Sequence, residues 1–147
     1  MIGKIVMGKF PSDFPNGCPV GAKVVDAQLF HGCKAQIATD EDFAPFAQSN
    51  DQYKRARAEK AGCNGWGISV WTTEAAARHA QQLFPDWAGR WHMFRGDVTP
   101  DLGQLKPTPS SNQPEHHTFW CFDGVMLREK NSFGHGRRTM EMYHEVD

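Results

Sequence analysis

Apolar and polar positions alternate along Val24-Val25-Asp26-Ala27-Gln28-Leu29-Phe30, with Val25, Ala27 and Leu29 on one face. That period of two predicts a half-buried strand that ends at His31-Gly32. A second apolar run, Ile68-Ser69-Val70-Trp71, follows the Gly-rich turn Cys63-Asn64-Gly65-Trp66-Gly67. It breaks through Thr72 or Thr73, either of which can cap a helix whose first turn holds Glu74. Ala76, Ala77, Ala80, Leu83 and Phe84 then fall on one helical face, small enough at one end for close approach to a sheet, and Pro85 stops the run. Between these runs, Asn50 can cap a surface helix reaching Lys60, with Gly62 as its stop.

The remaining pattern is weaker. Residues 4–7, 91–99 and 139–146 read as strands, and Asp123-Gly124 predicts a hairpin joining residues 118–122 to 125–129. Pro11, Pro15 and Pro19, with Asn16-Gly17, make an irregular lead-in, and residues 107–114 make a polar loop. No repeat or linker interrupts the chain, so residues 1–147 are read as a single domain.

Composition narrows the function classes. A chain that is 39% hydrophobic and 22% charged is globular, and its formal net charge of -1 provides no field for nucleic acid or an anionic membrane. No window approaches the roughly 20 apolar residues of a membrane span. Cys18, Cys33, Cys63 and Cys121 are scattered without a C-x-x-C pair, so reduced thiols and a cytoplasmic location are expected.

Phe30-His31-Gly32-Cys33-Lys34-Ala35 resembles the F-H-G-T-K-A phrase of small rifampicin-modifying ADP-ribosyltransferases, with Cys33 in place of Thr. The strand-to-helix phrase from Gly67 to Ala80 follows in the order that this superfamily uses, which includes the catalytic fold of poly(ADP-ribose) polymerases. The resemblance implies an α+β fold with a bent or split, mainly antiparallel β-sheet and two or three helices. It implies NAD as the substrate, transfer of ADP-ribose to an unidentified acceptor as in other glycosyltransferases, and release of nicotinamide.

By the same resemblance, His31 meets a ribose hydroxyl, Gly32 offers backbone groups to the carboxamide, and Ser69 and Trp71 line the pocket. Ser69 stands where many members have Tyr. Trp71 or Trp66 can stack on the cationic nicotinamide ring, and Arg95 can pair with the pyrophosphate. Breaking the nicotinamide bond builds positive charge on the ribose, so a late carboxylate is needed. Glu141 is the first candidate and Glu129 the second.

Other readings account for the same residues. His31 can be a strand-end imidazole satisfied by a carbonyl, and Trp71 can be a core residue. A non-catalytic binding or accessory protein on the same fold, with a protein partner, would explain the missing Tyr. Adjacent His116 and His117 point to opposite faces of a strand and cannot readily share a metal, which weakens a His-based metal hydrolase and leaves no metal ligand assigned. A loop-to-strand histidine here can instead orient substrate or cap a pocket.

Overall fold

A computed structural model gives the fold and describes residues 8–33, 40–83, 92–125 and 127. Among these, the chain is α+β, with two α-helices and antiparallel sheets. Strand β1 (Ala27–Cys33) pairs with β3 (His92–Val98), Ala27 opposite Val98 and Cys33 opposite His92. Strand β5 (His117–Cys121) is the centre of a second sheet, between β2 (Ile68–Val70) and β4 (Gly103–Pro107). Among the described residues, the two sheets meet edge to edge at one residue pair: Phe30 N–H donates to the Trp71 carbonyl at 2.8 Å, and Trp71 N–H donates to the Phe30 carbonyl at 2.9 Å.

Strand alternation gives these sheets two buried faces. Leu29, Phe94 and Val98 join Ile68, Val70 and Phe119 on one face. Phe30, Trp71 and Met93 lie on the other, beneath Ala76, Ala77 and Ala80 of helix α2 (Glu74–Leu83). Alanines let α2 sit close to the indole, and the Thr73 hydroxyl accepts from Ala76 N–H at its start. Helix α1 (Gln52–Ala61) buries Ala58 alone. It stops at Gly62, whose φ of 67° favours glycine. In β4, Gly103 is required by close approach, since a Cβ there would strike the Trp120 carbonyl and the Phe119 ring.

Several local expectations shift. Strand β1 extends to Cys33 because β3 supplies partners that far, which puts His31 inside the strand rather than at its end. Asp51, not Asn50, caps α1, its carboxylate accepting from Tyr53 N–H at 2.8 Å. Strand β4 covers residues to which the alternation assigns no strand, and it reaches the first residue of the predicted polar loop at Pro107. Asp123-Gly124 does form a turn, with Gly124 at φ 81°, but the sheet partners of β5 are β2 and β4, and Val125 is not in a strand.

The largest correction concerns the thiols. Cys18 and Cys63 form a disulfide across 45 positions, while Cys33 and Cys121 remain free. Neither the spacing nor the surroundings of two isolated cysteines announces such a pair before the chain is folded. The disulfide ties the proline-rich lead-in to the 3-10 turn that carries Trp66. The predicted strands over residues 4–7 and 139–146 lie outside the described residues.

Candidate functional site

The site is built where the two sheets part. Phe30 turns its N–H and C=O toward β2, so two residues on Gly32 turns its own the same way, by the alternation of a strand. Ser69 is two positions before Trp71 and faces back across the same seam. Among the described residues, strand pairing does not continue to that level: the bridge between the sheets is Phe30 with Trp71 alone. Instead of a backbone donor, the Ser69 carbonyl receives the imidazole of His31, with Nδ1 at 2.7 Å.

His31 is 8% exposed and its other ring nitrogen, Nε2, lies 2.5 Å from the Asp42 carbonyl. Its ring is 5.0 Å from that of Phe43, on the Ile68 and Val70 side of the sheets. Burial pushes the imidazole pKa below its ordinary value, outweighing the two carbonyls, which favour the cation. Both ring nitrogens stand at hydrogen-bond distance from a carbonyl, so Ser69 and Asp42 hold the ring from either side.

On the opposite side of β2, the exposed Ser69 hydroxyl lies 2.9 Å from His116 Nε2. His116 Nδ1 is 3.0 Å from the Thr108 carbonyl and 2.9 Å from the Thr108 hydroxyl, which reaches the Thr118 hydroxyl at 2.7 Å. One tautomer satisfies every contact: Nδ1–H donates to Thr108, and Nε2 accepts the Ser69 proton. Partial burial holds this imidazole below its ordinary pKa, with His117 adding to the effect and the Thr108 carbonyl opposing it. The Trp71 indole meets the His116 ring edge-on at 5.7 Å and donates from Nε1 to Gln113 Oε1 at 3.2 Å.

The residues singled out from sequence therefore divide. His31, Gly32, Ser69 and Trp71 gather along the seam, although the imidazole and the Ser69 hydroxyl take opposite sides of β2. Arg95 is opposite Phe30 in β3, so Trp71, Phe30 and Arg95 form one row across the seam. Trp66 is elsewhere: it tilts against Phe14 with ring centroids 5.3 Å apart, beside a cavity of about 470 Å³ also lined by Phe43 and Cys121. Phe43 is the wall which that cavity shares with His31. Burial pushes the Cys121 thiol up to about 12 and raises that of Cys33, so neither is a ready nucleophile. Glu129 and Glu141 lie outside the described residues.

Gln113 and Thr108 had no sequence signal beyond membership of a polar loop, and the contact of His116 with Ser69 needed β5 to lie beside β2. Among the described residues, no three His, Cys, Asp or Glu side chains converge as a metal site. None of the helices among them is long and apolar enough to cross a membrane. No family model matches this sequence, and neither a curated protein nor a solved structure does.

Proposed function

We propose that the chain cleaves NAD at its nicotinamide bond and transfers ADP-ribose to an acceptor, with the seam as the nicotinamide site. The observation that carries this reading is the pairing between β1 and β2, which among the described residues stops short of Gly32 and Ser69. A primary carboxamide presents one donor and one acceptor in a plane, as a peptide edge does, and complements the N–H and C=O that Gly32 turns to the seam. The lack of a side chain at Gly32 lets a flat ring come close.

His31 adds a second reason. Its ring nitrogens stand 2.7 Å from the Ser69 carbonyl and 2.5 Å from the Asp42 carbonyl, which fixes the imidazole beside the seam. A ribose hydroxyl that takes the place of the Asp42 carbonyl at Nε2 is the proposed contact. Stacking falls to Trp71 beside the seam rather than Trp66, and Arg95, in the same row, is the proposed pyrophosphate partner. Glu141 or Glu129 is retained as the carboxylate that stabilises the ribosyl cation. Persisting disulfides belong to oxidising compartments, so the Cys18–Cys63 bond argues for activity outside the reducing cytoplasm.

NAD added to the folded protein should raise its melting temperature, because a ligand bound by the folded state alone stabilises it. Nicotinamide release should fall to background in His31→Ala. Absence of any NAD-dependent shift, or equal slow release by both proteins, would end this reading.

A further inference from the structure

We infer that His116, working through the Ser69 hydroxyl, is the general base for the acceptor, and that the acceptor is a neutral hydroxyl compound, water included. The inference rests on the NAD reading above. Among the described residues, the Ser69–His116–Thr108 chain is the one at the seam that joins an exposed hydroxyl to an imidazole with an accepting nitrogen. Its geometry is that of a proton relay, with 2.9 Å from Ser69 Oγ to Nε2 and 3.0 Å from Nδ1 to the Thr108 carbonyl that fixes the tautomer.

The step balances without a further reactant. An acceptor hydroxyl forms a bond from its oxygen to C1′ of the nicotinamide ribose as its proton passes to Ser69 Oγ. The Ser69 proton passes to His116 Nε2. The C1′–N bond breaks with its electron pair moving to the pyridinium ring, so neutral nicotinamide leaves. His116 then returns its proton to solvent through Ser69. An acceptor that arrives as an anion needs no such relay, which is why this arrangement favours hydroxyls.

The groups around the imidazole support a neutral base. From β2 it faces Ser69, from the start of β4's following loop Thr108, and from α2's side of the sheet Trp71. Among the described residues, the titratable and charged neighbours are His117 and Glu115, next to it in the chain, while Lys106 of β4 turns its ammonium to the Val20 carbonyl at 2.8 Å. Activity is therefore lost on acidification through a value below 6.5.

The test uses the whole chain with NAD and three nucleophiles: water, added methanol and sodium azide. ADP-ribose, methyl-ADP-ribose and azido-ADP-ribose are separated by mass spectrometry. His116→Gln keeps hydrogen-bonding groups at the site and should lower formation of the first two products about a hundred-fold. It should also remove the acidic limb of the pH profile, leave the NAD-induced melting shift intact, and regain turnover with azide, which needs no base. Ser69→Ala should likewise lower formation of the first two products. If His116→Gln turns over water and methanol at the wild-type rate, or if its loss is equally deep with azide, the base assignment is overturned while the NAD reading stands. If the wild-type chain shows no NAD shift and no nicotinamide release, the NAD reading fails and takes this inference with it.

Discussion

Ser69 is touched by two histidines from opposite sides, and the contrast between them explains how one strand can be both a joint and a reactive edge. On the inner side, His31 is buried, binds the Ser69 backbone and is clamped between two carbonyls. It substitutes for a missing rung between the sheets. On the outer side, His116 is half-buried and binds the Ser69 side chain, leaving a proton shared between two groups that can both give it up. Loss of the inner contact should therefore cost stability, whereas loss of the outer one should cost chemistry.

The most severe way to break this contrast is to remove the residue that serves both sides. Trp71 is 2% exposed, closes the bridge to Phe30 through its backbone and walls His116 with its indole. Trp71→Ala should cost about 3–5 kcal/mol in urea unfolding, through a cavity beneath α2. A loss below that range would mean that the indole is not packed as described.

Next come the histidines themselves. His31→Ala leaves two carbonyls without their imidazole partner at a buried position and should cost about 1–3 kcal/mol. His116→Gln should change stability by less than about 1 kcal/mol, since its partners reach water. Parallel urea titrations of the two variants measure the difference directly; equal losses would erase the distinction between joint and edge.

Acidification sharpens the comparison further. Both imidazoles are held below 6.5 in the folded chain, so below that pH the unfolded chain binds more protons than the folded one. Stability from these groups is present above pH 6.5 and is lost as pH falls through their depressed folded values. The urea midpoint should decline on that acid side, and His31→Gln should flatten the decline more than His116→Gln, because its ring is the more deeply buried. The smallest effect is at Ser69 itself: Ser69→Ala should alter the urea midpoint hardly at all, yet strip His116 of its proton donor. Measurement of the His116 ring by NMR titration would show this as a change at that ring and not at His31.

Local pattern carried much of the fold. The period of two around Leu29 and Val70 placed β1 and β2 within a few residues, and the alanine face with its Thr cap placed α2. The joining of the sheets was less legible. Gly103-Gln104-Leu105-Lys106-Pro107 has too little alternation to signal a strand, and it becomes β4 because β5 presents an edge to pair with. The same polar loop that looked featureless delivers Thr108 and Gln113 to the seam.

By itself, then, the sequence determined that a histidine and a glycine would follow the alternating run of Leu29, and that Ser69 and Trp71 would share one face of another strand, since side-chain alternation depends only on neighbours along the chain. Tertiary structure decided which groups those residues meet. The 47 positions between Ser69 and His116, and the 45 between Cys18 and Cys63, are bridged only after β5 has docked between β2 and β4 and the lead-in has folded back. Periodicity reports which side of an element a residue occupies; only packing brings distant elements into contact.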